Sequence, residues 1–536
     1  MRRWNGWGDD TIETPLQAGA LDFLSEHVGP ATPPHDAALE AALARVQAQP
    51  SRLPSHPLVR TDARERLLAS FGQSLGDWLR LRFGEVGLVT DGVAWPETRD
   101  DVRALLDWAA EIGAVVVPMG GATSVVGHLA PPHGGRPVLT LGMGRLRRLL
   151  ALEPLAQLAT FEAGVTGPDL EAQLRAQGWT LGHFPQSFEY STLGGWVVTR
   201  SSGQQSARYG RIEALFAGGV LETPTGPLAI PTCPASAAGP DLREWVLGSE
   251  GRLGVLTEAT VRVSRLPDRE RFVGVFLPDW AAGEAAVREL AQQRLGLSMM
   301  RLANATETLT TLRLAGHAGA IGWLERWLRW RGCADGKVLL MLGFTGSRAQ
   351  VQGMRAQARR VWRRHGGVST GTLLGRKWQA NRFRGVYLRN ALWSAGYAVD
   401  TMETAVDWPR VPATMQAMEQ AGRDALAALG ERCHAYTHLS HVYPQGSSVY
   451  STFVFRIGPD FDTAWRRWSA LKAAVSQAVV RHGGTISHQH GVGKDHAHYL
   501  AAEKGERGLR GLRALVDHFD PQGVMASGNL LPRDDT

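Results

Sequence analysis

The sequence predicts an α+β protein built from two or more domains. Its 536 residues are more than one small core would need. From about residue 86, predicted strands and helices alternate with glycine-rich loops. From about residue 266, a second region repeats the order of strand, helix and returning segment, which closes on "RHGGVST" at 364–370 and on "RHGGTIS" at 481–487. Two such units would build an antiparallel sheet with helices on one face.

Charge and cysteine content narrow the functional class. The formal net charge is +7, from 58 basic and 51 acidic residues, which is too dilute for nucleic-acid binding in a chain without a basic run. Cys233, Cys333 and Cys433 are far apart and form no CxxC motif, so we expect no disulfide framework and a reducing, cytoplasmic setting. The sequence predicts no signal peptide and no membrane-spanning helix, because it lacks a run of about 18 apolar residues.

The predicted elements of the first half begin with short helices. Residues 1–85 combine proline-rich loops with helical patterns at 36–46 and 62–72. The pattern at 99–112 has apolar residues at helical spacing and predicts a longer helix. A strand at 114–117 and a glycine loop at 120–127 follow it. Further strands are predicted at "PVLTL", "LATFEAG" and "AGGVLETPTG".

In the second half, each repeated unit starts with a strand and continues with a helix that ends at glycine. "KVLLMLGFTG" precedes the helix "RAQVQGMRAQARRVWRRHGG", and "SSVYSTFVFRIG" precedes the helix "FDTAWRRWSALKAAVSQAVVRHGG". The segment "TISHQHGVGK" at 485–494 would then end the returning strand of the second unit. This prediction places His488 at the mouth of that strand.

Three glycine- and hydroxyl-rich segments are suited to hold a large ligand. They are "PMGGATSVVGH" at 118–128, a segment at 182–213 that contains "YSTLGGW" and "SSG", and "VLGSEGRLGV" at 246–255. Consecutive glycines let the backbone approach a diphosphate, whose oxygens the backbone N–H groups can bind. The first segment is neither a Walker loop nor a GxGxxG motif that opens a helix. Taken alone, it is equally consistent with an ordinary glycine turn.

In this order and spacing, the three segments resemble the FAD-binding domain of the vanillyl-alcohol-oxidase-type flavoproteins. Further segments are similar to the alkylglycerone-phosphate synthase (alkyldihydroxyacetonephosphate synthase) branch: "RRWNGWGDD", "HFPQSFEYSTLGGWVVTRSSGQQSARYG", "YLRNALWSAGYAVDTMETAVDW" at 387–408, "SHQHGVGK" and "GNLL" at 528–531. The resemblance covers nearly the whole chain. It implies a two-subdomain FAD-binding domain and a cap domain with an antiparallel sheet and helices.

The resemblance also implies domain boundaries and a noncovalent FAD. An N-terminal segment of helices and loops would span 1–85, the FAD-binding domain 86–265, the cap and substrate domain 266–487, and a C-terminal segment that returns to the FAD domain 488–536. The residues expected to bind FAD are Pro118, Gly120, Gly121, Ala122, Thr123, Ser124, Gly127, His128, Pro185, Ser187, Ser191, Thr192, Gly194, Gly195, Ser201, Ser202, Gly203, Glu250, Gly251, Gly254, Val255 and Asn529.

For the reaction, the resemblance implies that the acyl chain of acyl-dihydroxyacetone phosphate is exchanged for a fatty alcohol through a flavin N5 adduct. Tyr450 matches the acid/base tyrosine of the family and would remove the C1 proton. His488 and His490 would polarise substrate oxygens. Arg301 and Arg389 match arginines near the active site, and one of them would hold the phosphate. From the residues alone, Tyr450 is equally a strand aromatic, and each arginine a surface or ion-paired residue.

The chain departs from the family at Gln489, where the family has the middle of three consecutive histidines. Because glutamine cannot act as a base, a proton relay through all three positions is excluded. We expect no metal at His488 and His490, since no third ligand lies at a characteristic spacing. A structural histidine pair remains an alternative. The departure also keeps open an FAD-dependent oxidase or dehydrogenase of a 2-hydroxy acid or an alcohol, and a flavoprotein module without catalytic activity.

One aromatic pattern points to lipid. In "WLERWLRWRG" at 323–332, Trp323, Trp327 and Trp330 recur at i, i+4 and i+7 among arginines. This composition suits a lipid interface, although such stripes also pack into cores. We therefore expect small lipid-like substrates or a small hydroxy acid, no nucleic acid, a peripheral contact at the inner membrane surface, and a homodimer.

Overall fold

The computed structural model describes residues 2–17, 19–314, 318–526 and 528–532. The N-terminal part is helical, with one edge strand. Its elements are α1 (Ala20–Val28), α2 (Leu39–Gln47), β1 (Val59–Arg60), α3 (Ala63–Leu68) and α4 (Leu75–Phe83). A capping box starts α4, in which the Ser74 side chain accepts the Asp77 N–H and the Asp77 carboxylate accepts the Ser74 N–H.

The next part of the chain forms two larger sheets and a two-stranded one. Its elements are β2 (Gly92–Ala94), α5 (Arg99–Glu111), β3 (Val115–Met119), β4 (Val138–Gly142), β5 (Leu149–Glu153), β6 (Leu158–Glu162), α6 (Gly167–Arg175), β7 (Trp179–Thr180), α7 (Leu193–Val198), α8 (Ser206–Tyr209), α9 (Ile212–Leu215), β8 (Phe216–Thr223), β9 (Gly226–Ile230), α10 (Arg243–Val246), β10 (Val255–Arg262) and β11 (Ser264–Arg265). The sheet orders are β1-β2-β4-β3, β5-β6-β10-β8-β9 and β11-β7. The first is parallel between β2, β4 and β3, and the second is antiparallel. The predicted α+β class is confirmed.

The second half is built on one large antiparallel sheet. Its elements are β12 (Arg269–Leu277), α11 (Trp280–Gln292), β13 (Met299–Ala303), α12 (Ala305–Arg313), α13 (Ala318–Trp330), β14 (Val338–Gly346), α14 (Arg348–Arg364), β15 (Val368–Ser369), α15 (Leu373–Asn381), α16 (Leu388–Ser394), β16 (Tyr397–Asp407), α17 (Val411–Ala427), β17 (His434–Leu439), β18 (Gly446–Arg456) and α18 (Phe461–Arg481). Among the described residues the sheet has seven strands, in the order β15-β12-β14-β13-β17-β18-β16.

The repeat seen in the sequence is present and is larger than predicted. The first copy runs β12-α11-β13-β14-α14-β15, with α12 and α13 inserted after β13, and the second runs β16-α17-β17-β18-α18. The two copies meet where β13 pairs with β17, with Leu302 opposite Leu439. Each copy therefore contributes one half of a continuous sheet.

Helices cover both faces of the first half of this sheet, which corrects the prediction of helices on one face. Every position of β14 is buried. Val338, Leu340 and Leu342 belong to the main core, whereas Leu339 and Met341 pack with residues of α12, α13 and α15. A strand that is apolar at successive positions needs cover on both sides.

The returning strand predicted for the second copy is not formed. The Thr485 N–H reaches the Ala405 carbonyl of β16 at 3.4 Å, but the Ile486 N–H donates to the Glu503 carboxylate at 3.2 Å. The hydroxyl of Thr404 donates to the Thr485 carbonyl at 2.7 Å. Hydrogen bonds to side chains thus replace the backbone hydrogen bonds of a paired strand. His488 therefore lies in a turn that follows an irregular segment.

The C-terminal residues return to the parallel sheet. After α19 (Leu500–Phe519), the Val116 N–H donates to the Val524 carbonyl at 2.7 Å and the Ala526 N–H donates to the Val116 carbonyl at 2.9 Å. Short 3-10 turns lie at Met143–Arg145, Gly385–Tyr387, Trp408–Arg410 and Ala497–Tyr499. None of the described helices has the length and apolar character needed to cross a bilayer.

Candidate active site

A cavity of about 760 Å³ brings together the glycine-rich segments of the first half and side chains of the large sheet. Nearly all of the site residues expected from the sequence lie in its wall. The exceptions are Gly127, Gly203 and His488. The Gly203 N–H instead donates to the Ser206 hydroxyl at 2.8 Å, and Gly127 lies against Asp495. The structure therefore gathers residues that are hundreds of positions apart around one space.

The loop from Gly120 to Val125 lines the cavity and offers free backbone donors. Within the described part of the chain, its N–H groups donate to no protein acceptor. A Cβ at Gly120 would lie 2.3 Å from the Thr192 hydroxyl, and one at Gly121 would lie 1.8 Å from the Tyr190 carbonyl. Glycine is therefore required for this close approach. Clustered free N–H groups are the pattern that binds an anion.

A buried carboxylate ties the loop to the C-terminal turn. Glu250 accepts the N–H groups of Val492 and Gly493 at 2.5 and 2.7 Å. Its third partner is Nε2 of His128, at 2.8 Å, and Nδ1 of His128 lies 2.6 Å from the Ser124 hydroxyl. These hydrogen bonds fix two of the predicted ligand-binding segments, 118–128 and 246–255, relative to each other and to the C-terminal turn.

Tyr450 and His490 line the same cavity, from β18 and from the turn that follows α18. Their ring centroids are 6.3 Å apart. Burial raises the pKa of Tyr450 to about 12 and lowers the pKa of His490 below its usual value. At neutral pH the phenol therefore keeps its proton, and the imidazole is neutral and can accept one.

Glu403, which was not singled out from the sequence, organises the histidine-rich turn. Its Oε1 accepts a hydrogen bond from Nδ1 of His488 at 3.0 Å, and its Oε2 accepts one from the Gln489 amide at 2.6 Å. Nδ1 of His441 is 3.6 Å away. Although burial alone would raise it, His488 and His441 hold the pKa of Glu403 well below its usual value. Gln489 thus lines the cavity, and its amide is held in place by the ionised Glu403 carboxylate.

His488 lies behind the cavity wall, so the predicted role of polarising a substrate oxygen does not fit its position. Arg211 donates to its Nε2 at 2.8 Å and to its carbonyl at 2.7 Å. An arginine always donates, so Nε2 must accept, and the proton of the neutral ring is on Nδ1, facing Glu403. Burial lowers the pKa of His488 to about 4, which agrees with a neutral ring.

The same neighbourhood contains a cluster that could be taken for a metal site. One ligating atom each of Glu403, His441 and His488 lies within 4.8 Å of the others, among the residues that the structure describes. The sequence argument that no third metal ligand accompanies the histidines is therefore not upheld, because the fold brings Glu403 and His441 next to His488. However, the protonated Nδ1 of His488 and the nearby Arg211 cation do not favour a metal. The absence of a metal stays a prediction.

The two predicted arginines differ in their partners. Arg301 is paired with Glu307, which also lies 3.1 Å from Nδ1 of His438. Arg389 donates to the Gln73 carbonyl at 2.8 Å and lies over the Trp78 ring at 4.4 Å. Among the described residues, Arg389 forms no ion pair. It is therefore the less neutralised cation in the cavity wall.

Sequence reasoning missed several side chains around Tyr450. His438 stacks on its ring at 4.7 Å, and Glu307, Asp400 and Tyr436 also line the cavity. A usable signal was present for the histidine, because "THLSH" at 437–441 places His438 and His441 shortly before the tyrosine strand. Glu403 and Arg211 had no comparable signal.

Two family models match the chain, one in each half. The model described as FAD binding domain matches residues 90–228, and the one described as FAD linked oxidases, C-terminal domain, matches residues 266–530. The chain belongs to the vanillyl-alcohol-oxidase-type FAD-binding flavoproteins. Its cofactor is FAD, and it is an FAD-dependent enzyme.

This flavoprotein is similar to alkyldihydroxyacetonephosphate synthases, and the similarity extends over most of the chain. It is 29% identical to the alkyldihydroxyacetonephosphate synthase of Dictyostelium discoideum, over 88% of this chain and 78% of that one. It is 28% identical to the enzyme of the same name from Trypanosoma brucei brucei, over 99% of this chain and 92% of that one.

Solved structures agree with this assignment. A structure of alkyldihydroxyacetonephosphate synthase superposes with a TM-score of 0.79 at 25% identity and covers 97% of this chain and 98% of that one. The 4-ethylphenol oxidase of Gulosibacter chungangensis, at 13% identity, shares the fold with a TM-score of 0.67, over 94% of this chain and all of that one. The predicted two-part architecture is thereby confirmed.

The residues present fit FAD. The free N–H groups of the Gly120–Val125 loop suit a diphosphate, and the small hydroxyl-bearing residues around Thr192 leave room for a flat ring. The buried Oδ1 of Asn529 has no hydrogen-bond partner in the described part of the chain, and its amide donates to the His128 carbonyl at 3.1 Å. A bound polar ring system would supply the missing donor.

Proposed function

We propose that this flavoprotein is an alkylglycerone-phosphate-synthase-like enzyme, which exchanges the acyl chain of acyl-dihydroxyacetone phosphate for a fatty alcohol. One observation carries the proposal. The cavity that holds the FAD loops continues to Tyr450, His490 and Arg389, so that cofactor, proton-transfer groups and a cation share one space. Similarity to synthases over nearly the whole chain supports the same substrate class.

Proton transfer is divided between two side chains. Bound FAD would take up and return electron density at the substrate carbon, with no net oxidation. Neutral His490 would accept the proton from that carbon, and protonated Tyr450 would donate to a substrate oxygen. This division differs from the expectation that Tyr450 removes the proton, because the pKa of Tyr450 is raised to about 12 by burial. Glu403 would hold Gln489 as a fixed amide donor beside them.

Arg389 would bind the substrate phosphate. Its guanidinium already uses one N–H for the Gln73 carbonyl and stacks on Trp78, which fixes the plane of its remaining donors. Arg301 is less suited, since its charge is compensated by Glu307. A fork of donors on a cation without a direct ion pair is the arrangement that grips a phosphate in two places.

The alkyl and acyl chains would occupy the apolar wall of the cavity. The side chains that form this wall come from β13, α15, α16 and β16 and include Met299, Trp378, Leu388, Leu392 and Val399. Such residues bind chains by surface burial, without a directional contact. The specificity for an alkyl or acyl chain would therefore depend on the length and volume of that chain.

The enzyme would take its lipids from a membrane surface, through α13. Trp323 and Trp330 are 71% and 79% exposed, and the guanidinium of Arg326 lies over the Trp323 ring at 4.5 Å. Trp327 packs against the core, so the predicted single stripe is divided between two faces. Exposed tryptophan beside arginine suits the headgroup region of an anionic bilayer. α12 and α15, which pack on the same core cluster as α13, contribute Thr311 and Trp378 to the cavity.

A substrate-exchange assay tests the function. Purified FAD-loaded protein is incubated with palmitoyl-dihydroxyacetone phosphate and hexadecanol in the absence of any electron acceptor, and mass spectrometry follows ether product and released palmitate. The proposal requires both products in equal amounts. Turnover of D-lactate or another 2-hydroxy acid with a reducible dye, without ether formation, would establish the oxidoreductase alternative.

A further inference from the structure

We propose that the N-terminal segment Arg2–Ile12, here called the clasp, is part of the FAD-binding site and slows the release of the cofactor. The clasp lies outside both regions matched by the family models, which cover residues 90–228 and 266–530. Its sequence "RRWNGWGDDTI" has no role in the proposed reaction. The inference depends on FAD binding and is independent of the synthase substrate.

The clasp is a small hairpin that is held in one shape. Arg2 and Asp9 form an antiparallel bridge, and the Arg3 N–H donates to the Gly8 carbonyl at 2.8 Å. The Arg3 side chain donates to the carbonyls of Asp9 and Ile12 at 3.2 and 3.0 Å. The segment is therefore an ordered element that can present side chains at fixed positions.

Arg2 connects the clasp to the loop that faces the FAD diphosphate. Its guanidinium donates to the carbonyls of Gly121 and Ala122 at 2.8 and 3.1 Å. In a trans peptide the C=O and the following N–H point in opposite directions. Holding these two carbonyls outward therefore turns the N–H groups of Ala122 and Thr123 away from Arg2. The positive charge of Arg2 also favours a dianion on this loop.

The clasp is also fixed to the large-sheet half of the protein, through α16. The Trp7 N–H donates to Oδ1 of Asn390 at 3.1 Å, and the Asn390 amide donates back to the Trp7 carbonyl at 2.9 Å. Arg82, on α4 of the N-terminal part, donates to the Asn5 carbonyl at 2.7 Å. Trp7 is only 4% exposed, lines the cavity and meets the Tyr190 ring edge-on at 5.7 Å. The clasp thus joins the FAD loop to α16 across the cavity wall.

Two glycines make this fit achievable. A Cβ at Gly6 would lie 2.6 Å from Oδ1 of Asn390, the atom that binds the Trp7 N–H. Gly8 has a φ of +80°, and a Cβ there would lie 2.3 Å from the Tyr387 ring. Both positions are therefore closed to larger residues, so the "WNGWG" pattern follows from the docking of the clasp.

The test is the rate at which FAD leaves the loaded protein. Holoprotein is freed of unbound flavin, diluted to nanomolar concentration, and the rise in free-FAD fluorescence is followed. For Arg2→Gln we expect dissociation to be about tenfold faster, since charge-assisted hydrogen bonds to the loop are lost. Gly8→Ala, which displaces the clasp, should give an increase at least as large.

Arg45→Gln is the matched control, because Arg45, on α2, forms a surface ion pair with Glu85 and does not line the cavity. Its FAD dissociation rate should equal that of the wild type. Thermal unfolding of each apoprotein separates local effects from lost folding. The proposal is overturned if Arg2→Gln and Gly8→Ala both release FAD within twofold of the wild-type rate. Because the readout is FAD release, failure of the synthase assay would leave this result standing.

Discussion

Glu403 and Tyr450 are register partners across β16 and β18, so a buried carboxylate lies beside the phenol that faces the cavity. Directly opposed residues of an antiparallel pair project from the same face of the sheet. Burial is the main cause of the raised pKa of Tyr450, and the Glu403 charge adds to it. The pairing keeps the phenol protonated and ready to donate at neutral pH.

Replacement of Tyr450 by Phe should remove most of the turnover and leave FAD bound. The loss of a general acid commonly lowers a rate by about 100- to 10,000-fold. Steady-state exchange rates and the flavin absorbance spectrum measure the two effects. Tyr397→Phe is the control, since the Tyr397 hydroxyl donates to the Gly29 carbonyl at 2.8 Å at the far end of β16. Equal rates for Tyr450→Phe and wild type would reduce Tyr450 to a strand aromatic.

Two substitutions at Gln489 should separate hydrogen bonding from side-chain size. Gln489→Leu removes the amide that donates to Oε2 of Glu403 at 2.6 Å. We therefore expect the free energy of unfolding to fall by about 1–3 kcal/mol, and turnover to fall as well. Gln489→His keeps a donor toward Glu403 and should retain stability. Denaturant unfolding curves compare the variants. A leucine variant as stable and active as the wild type would show that this contact is dispensable.

Arg389→Met should raise KM for the phosphorylated substrate by about 10- to 100-fold, because a charge-assisted contact is worth roughly 1.5–3 kcal/mol. Arg301→Met should act differently. It leaves buried Glu307 without its arginine, so the main effect should be a lower melting temperature. Kinetics and thermal unfolding distinguish the two outcomes. A larger KM effect from Arg301→Met would assign the phosphate to Arg301.

The exchange rate should fall as the pH drops into the acidic range. His490 must be neutral to accept a proton, and burial lowers its pKa below the usual value of about 6.5. The base is therefore active throughout neutral pH, and its activity is lost as pH falls through the lowered pKa. A profile of kcat/KM against pH should show an acid limb with a midpoint below about 6.5. A midpoint above that value, or the same limb in His490→Gln, would exclude His490 as the base.

Binding to vesicles should depend on the two exposed tryptophans. The protein should sediment with vesicles that contain phosphatidylserine, and Trp323→Ser combined with Trp330→Ser should abolish this without loss of fold, since both side chains are more than two-thirds exposed. Trp327→Ser should instead lower stability, because Trp327 packs against the core. Wild-type protein that stays in the supernatant at low salt would refute membrane docking.

The sequence by itself determined the local elements and the residues that act through the backbone. Glycines at 120 and 121 mark a close approach that no other residue permits, and the apolar periodicity of 99–112 produced the helix α5. The repeated strand and helix order predicted the large antiparallel sheet. The similarity of whole segments to a family brought Tyr450, His490, Arg301 and Arg389 to attention, and all four line the cavity.

Only the tertiary structure decided how these residues are connected. Glu403 lies 85 positions before His488, and Arg211 lies 277 positions before it, yet both bind its ring. Arg2 reaches a loop 119 positions away. The returning segment at 485–487 failed to become a strand because the Glu503 carboxylate took the Ile486 N–H. Such long-range competition for a donor leaves no periodic pattern in the sequence, since it depends on which atoms the fold brings within hydrogen-bond distance.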